Sequence, residues 1–143
     1  MSLTVLFLCT GNSCRSQMAE GWARHLRAGQ LEPYSAGIKT RHLDPDAVLI
    51  MREAGVDISS QRSKHIDELA SVDFDVVVTV CGHADEHCPR YPKSTTIMHV
   101  AFDDPPRLAA GSSSRPEALQ QYRRVRDEIR DFVTALPAVP AAE

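Results

Sequence analysis

Leu3-Thr4-Val5-Leu6-Phe7-Leu8-Cys9-Thr10-Gly11-Asn12-Ser13-Cys14-Arg15-Ser16 decides how the rest of this chain is to be read. Its first six residues are almost all apolar and do not alternate, which is the pattern of a short strand buried on both faces. Beyond Ser16, Met18, Trp22 and Leu26 recur every four residues and predict the apolar face of a helix over about 14–28, with Gly29 as its stop. Between strand and helix lies a loop in which five residues separate Cys9 from Arg15. On such a turn the backbone N–H groups of Thr10, Gly11, Asn12, Ser13, Cys14 and Arg15 converge on one point, and the helix N-terminus adds partial positive charge. Arg15 adds a planar fork of donors suited to a tetrahedral oxyanion. In that field Cys9 is expected to be a thiolate near neutral pH. Cys14, inside the same loop, is expected to turn into the core as most free cysteines do.

Working outward, the chain keeps alternating strand and helix. Residues 33–38 read as a second strand. Asp44-Pro45 is a cap followed by a first-turn proline, which opens a helix with Ala47, Ile50, Met51 and Ala54 on its inner face. Residues 59–63 are polar and loop-like, and 66–70 suit a short helix. Residues 74–80 are dense in β-branched side chains and make the clearest strand; residues 95–100 make a fourth. The prolines after Asp104 hold the preceding residues extended, so 102–106 is expected to be non-helical and 106–114 a flexible segment. Ser114 and Glu117 form a capping-box pattern before a last helix over 115–136. Its predicted buried stripe is Leu119, Tyr122, Ile129, Val133 and Leu136; Arg123, Arg124, Arg126, Asp127 and Arg130 are assigned to its solvated face. This order predicts an α/β fold: a four-stranded parallel sheet with helices on both faces, formed by one domain over 1–136 with a flexible tail over 137–143. In such sheets ligands sit at the carboxyl ends of the strands, where Cys9, Cys81 and Asp104 all fall.

Length and composition set the outer limits. The chain has 143 residues, enough for one well-buried core, and a net charge of −3 that argues against nucleic acid or a membrane surface as partner. The N-terminal apolar run is too short to span a bilayer and lacks the features of a signal peptide, so a cytoplasmic protein is expected. Four cysteines in that compartment read as metal-binding, catalytic or redox-active rather than as a structural disulfide set. Cys81, His83, His87 and Cys88 could in principle hold zinc as a structural or sensing site, but their spacing matches no standard finger and adjacent His87-Cys88 would chelate awkwardly. No metal site is therefore expected.

The loop 9–16, the following Gln17-Met18-Ala19-Glu20-Gly21, the segment Tyr34-Ser35-Ala36-Gly37, the pair Cys81/Cys88 and Phe102-Asp103-Asp104-Pro105 together resemble the thioredoxin-coupled arsenate reductases, which share the low-molecular-weight tyrosine phosphatase fold. The likeness runs from about residue 5 to 132. It implies that arsenate binds Arg15 and the loop amides, with phosphate or sulfate as competing oxyanions, and that Cys9 attacks arsenic. Asp104 then protonates the departing oxygen, while Ser16 donates to the Cys9 sulfur. It further implies a relay in which Cys81 attacks Cys9, Cys88 attacks Cys81, and thioredoxin reduces the resulting Cys81–Cys88 disulfide. Phosphotyrosine phosphatases of the same fold are the main alternative. They usually carry proline where Gln17 stands and tyrosine where Pro106 stands, and the Cys81/Cys88 pair has no use in their reaction. Related reductases bind potassium beside the loop through residues matching Asn12, Glu20 and Ser35 plus an aspartate. Here the aspartate position holds Lys64, whose ammonium is expected near Glu20, with no potassium requirement and no other cofactor. A monomer is the expected state.

Overall fold

Residues Leu3–Cys9 form β1, and both sides of that strand are buried: Leu6, Phe7 and Leu8 are each 0% exposed. Successive side chains of a strand point to opposite faces, so helices must cover both faces of the sheet at this point. The computed structural model describes residues 2–82 and 88–136. In it β1 pairs in parallel with β2 (Leu31–Gly37) on one side and with β3 (Val76–Thr79) on the other. β4 (Thr96–His99) pairs in parallel with β3, giving the order β2-β1-β3-β4. β4 is one of the two edge strands, and its Thr96, Ile97 and His99 are exposed.

Among the described residues the helices are α1 (Arg15–Leu26), α2 (Pro45–Glu53), α3 (Pro105–Ala110) and α4 (Arg115–Ala135), with a 3₁₀ turn at Ile66–Leu69. α1 buries Met18, Ala19, Trp22 and Ala23 against the sheet and α4. Leu26, expected on that face, is 42% exposed, because the helix ends there and its last turn passes the edge of the core. α4 buries Ala118, Tyr122, Val125, Ile129 and Val133, so the stripe runs through Ala118 and Val125 and leaves Leu119 only half-buried. Arg126, assigned from sequence to the solvated face, lays its side chain inward and donates to the Ile50 carbonyl at 3.0 Å, tying α4 to α2. Arg27, the C-cap of α1, likewise donates to the carbonyls of Val133, Thr134 and Leu136 at the end of α4, where the helix itself supplies few donors.

Two further details depart from the sequence reading. Pro105 and Pro106 do not exclude a helix; they open α3 at its first two positions, where a missing N–H costs no bond. Only the residues before them are extended, with Asp104 at φ −90° and ψ 104°. At the start of α4, Ser114 accepts from the Glu117 amide, but the Glu117 carboxylate reaches back to Ser113 rather than to Ser114. The tail 137–143 lies outside the described residues. No helix among the described residues is long and apolar enough to cross a membrane.

Candidate active site

The loop between β1 and α1 has its carbonyls turned outward, each held by a donor outside the cradle. Cys9 O accepts from Ile38 N (3.2 Å), Thr10 O from Lys39 N (2.9 Å), Ser13 O from Asp44 N (2.9 Å) and Cys14 O from Met18 N (2.9 Å). Gly11 O accepts from Ser63 Oγ (2.8 Å) and Asn12 O from Gln17 Nε2 (2.9 Å). With the carbonyls fixed on the outside, the intervening N–H groups are left to face the cavity. α1 adds its open end: Cys14 at the N-cap makes no side-chain cap bond, and no acidic residue occupies the first turn. Gly37 closes the back of the loop; a Cβ there would lie 2.9 Å from Asn12 N and 2.6 Å from Lys39 O.

The cavity has a volume of about 170 Å³ and is lined by Cys9, Thr10, Gly11, Ser13, Cys14, Arg15, Arg41, Asp104 and Pro106. Arg15 donates through Nη1 to the Phe102 carbonyl (2.9 Å), and its Nη2 stands 3.7 Å from Asp104 Oδ1. Its Nε is buried and has no hydrogen-bond partner. A buried guanidinium N–H left unmatched in a native fold calls for a ligand acceptor. Asp103 turns the other way and pairs with Arg124 of α4 at 3.0 Å, so of the two aspartates only Asp104 lines the cavity.

Cys9 is buried, and its thiol shares a hydrogen bond with that of Cys81. Cys81, at the end of β3, is itself buried and sits 3.1 Å from Thr10 Oγ1. The shared hydrogen bond with Cys81 pushes the Cys9 thiol well above its ordinary pKa, and burial adds to this; Arg15 and the Thr10 amide pull the other way. The expectation of a resting thiolate is therefore corrected: with the two thiols in contact, Cys9 holds its proton. Ser16 is fully buried and accepts from Asn12 Nδ2 at 2.8 Å, which leaves its own O–H to donate elsewhere. Cys14 is held protonated by burial and by its hydrogen bond to Asp44, whose carboxylate also receives the Tyr122 hydroxyl at 2.7 Å. Cys88 is half-buried beside Tyr91, whose hydroxyl is pushed up to about 12 by burial and by Cys88. His83 and His87 lie outside the described residues, and so does any geometry of a Cys/His zinc set; no metal-ligating cluster occurs among the described residues.

Beneath the loop, Glu20 is buried and receives Ser35 Oγ (2.6 Å) and Arg24 Nη2 (2.6 Å), with Lys64 Nζ at 3.9 Å. Burial lowers the Lys64 pKa, while Glu20 opposes that. Lys64 also places its backbone N–H on Asn12 Oδ1 at 2.9 Å. An ammonium in this position does not fit a potassium site, because it repels a second cation and already faces the carboxylate.

Several residues that shape the site carried no signal of that structural role in the sequence. Gln17 donates to Asn12 and to the Arg62 carbonyl, Gln61 donates back to Gln17, Ser63 braces Gly11, and Arg41 overhangs the cavity.

The family model described as low molecular weight phosphotyrosine protein phosphatase matches residues 4–139. The chain belongs to this family. Within reach of this phosphatase family, the chain is 49% identical over 125 residues to an arsenate reductase of Bacillus subtilis, covering 87% of this chain and 88% of that one. It is 48% identical over 125 residues to an arsenate reductase of Halalkalibacterium halodurans, with the same coverage. Among solved structures, an arsenate reductase in the phosphate-binding state superposes with a TM-score of 0.74 at 33% identity, over 93% of this chain and 94% of that one. A low molecular weight protein tyrosine phosphatase from T. tengcongensis superposes with a TM-score of 0.73 at 26% identity, over 92% and 95%. The parallel four-stranded sheet is thus common to reductases and phosphatases of this family.

Proposed function

We propose that this protein is an arsenate reductase that works through Cys9, Cys81 and Cys88. The observation that carries the reading is the Cys81 thiol lying against both Cys9 and Thr10. A phosphatase needs only the cradle and its nucleophile. A second thiol in contact with the first is what converts substitution at sulfur into reduction.

Arsenate enters the cradle and takes the free Arg15 Nε and the loop amides. The Cys9 sulfur forms a bond to arsenic, and one oxygen leaves as water with a proton from Asp104. Cys81 then attacks the Cys9 sulfur. The S–S bond forms, the S–As bond breaks, and its electron pair stays on arsenic, which departs as arsenite. Cys88 attacks Cys81 and returns Cys9 to its thiol, leaving Cys81–Cys88 for thioredoxin to reduce. Because Cys9 starts protonated, deprotonation precedes attack, and the reactive fraction of the free protein rises with pH. Phosphate and sulfate compete for the same cradle, and weak phosphatase activity is a natural side reaction. Lys64 takes the place of a bound monovalent cation beneath the loop.

The test is NADPH consumption with thioredoxin, thioredoxin reductase and arsenate. Sustained turnover is expected, and Cys81→Ser and Cys88→Ser should each abolish it while sparing most aryl phosphate hydrolysis. Full multiple turnover by Cys88→Ser would sink the relay.

A further inference from the structure

Arg41 follows β2 and reaches over the cavity mouth from outside the loop. Its stem lies flat on Gly11: a Cβ at that glycine would come within 2.7 Å of Arg41 Cδ and 3.0 Å of its Nε. The absence of a side chain at position 11 is therefore what allows the guanidinium to sit there. The backbone at Arg41 is fixed as well. Its N–H donates to Ser63 Oγ at 3.0 Å, and the same hydroxyl donates to Gly11 O at 2.8 Å. One serine thus binds the cradle and the arginine together. No acidic side chain or carbonyl accepts from the Arg41 guanidinium among the described residues. By contrast Arg15, the other arginine of the cavity, already gives one arm to Phe102.

We propose that Arg41 is a second oxyanion-recognition residue, which grips the outer oxygens of a free tetrahedral dianion after Arg15 and the loop amides have taken the inner ones. The inference rests on the reading of this cavity as an oxyanion site. A dianion such as arsenate or inorganic phosphate carries more charge than one guanidinium balances, and its outward oxygens need donors that the loop does not supply. Arg41 and Pro106 both line this cavity of about 170 Å³. Arg41 is exposed, so its contribution acts through a field that salt screens.

The experiment compares wild type, Arg41→Gln and Arg41→Lys in two measurements. The first is calorimetric binding of inorganic phosphate at several salt concentrations. The second is coupled arsenate turnover. Arg41→Gln is expected to weaken phosphate binding and raise the KM for arsenate by about tenfold, the scale of one charge-assisted hydrogen bond, with kcat within about twofold because Arg41 touches neither sulfur. The salt dependence of binding should flatten in Arg41→Gln and persist in Arg41→Lys. Unchanged phosphate affinity in Arg41→Gln would overturn the proposal. So would a weakened affinity with an unaltered salt slope, which would mean that the side chain acts only by packing on Gly11. If wild type binds phosphate through Arg41 but does not turn over arsenate, the recognition role stands and the reductase reading fails.

Discussion

Asn12 holds φ at +50°, a left-handed conformation in a fully buried non-glycine residue. Asparagine tolerates this region better than most residues, yet some strain remains. Here it is offset by hydrogen bonds on every polar atom of the side chain: Oδ1 accepts from Lys64 N and Gln17 Nε2, and Nδ2 donates to Ser16 Oγ. Lys64 therefore serves the loop twice, through its amide on Asn12 and its ammonium near Glu20. A tethered ammonium carries no binding equilibrium, so its support does not depend on which salt is present. Replacing sodium by potassium at constant ionic strength should leave Tm and kcat/KM unchanged, whereas Lys64→Met should cost about 1–3 kcal/mol in urea unfolding, because Glu20 stays buried with a weaker set of partners. A strong rise in activity or Tm with potassium in wild type would contradict this assignment.

At the scale of elements, the site depends on the seam between the first turn of α1 and the segment 61–64. Gln17 is fully buried at that seam and bonds both the loop and the segment, through Asn12 and the Arg62 carbonyl. Gln17→Ala leaves the Asn12 and Arg62 carbonyls and the Gln61 amide short of partners. The expected cost is about 2–3 kcal/mol in unfolding free energy, with weaker phosphate binding as the loop loses its fixed shape. An unchanged stability and affinity would show that water replaces Gln17 without loss. This seam also marks where sequence reading ends. Cys9, Arg15 and the strand before them were legible because the cradle is local: strand, glycine-containing loop and helix follow one another within 26 residues of the N-terminus. The strands were legible from apolar and β-branched runs, and α2 from Asp44-Pro45. Gln61, Ser63 and Arg41 were not, because each acts across tens of residues and none stands in a periodic pattern; Gln17 adjoins the loop, but its bond to the Arg62 carbonyl is equally remote in sequence. α3 was missed for a different reason: two consecutive prolines forbid a helix interior but suit a helix start, and position relative to the helix end is not visible in a dipeptide. The resting state of Cys9 was misjudged because the loop alone favours a thiolate, while the thiol that opposes it arrives from β3.

For the molecule as a whole, the parallel sheet gathers these groups at one edge. β1 ends in Cys9, β3 leads to Cys81, and the chain after β4 brings Phe102 and Asp104. Arg15 joins the first of these to the last, since its guanidinium holds the Phe102 carbonyl and stands beside Asp104. That segment is anchored at its far side too, through Phe102 edge-on to Phe132 and Asp103 on Arg124. One arginine thus ties the N-terminal loop to the segment after β4, and its buried Nε has no partner in the protein. Binding a dianion should therefore stabilise the whole fold and not only the loop. Inorganic phosphate at about 100 times its Kd adds roughly 2.7 kcal/mol to the unfolding free energy. For a chain of this size each kcal/mol moves Tm by roughly 2–4 °C, so phosphate should raise Tm by about 5–10 °C in a thermal melt at constant ionic strength. Arg15→Gln should melt lower than wild type without phosphate, because the Phe102 carbonyl loses its donor, and should lose most of the phosphate-induced rise. A rise in Arg15→Gln equal to that of wild type would place the anion elsewhere and remove Arg15 from the centre of the network.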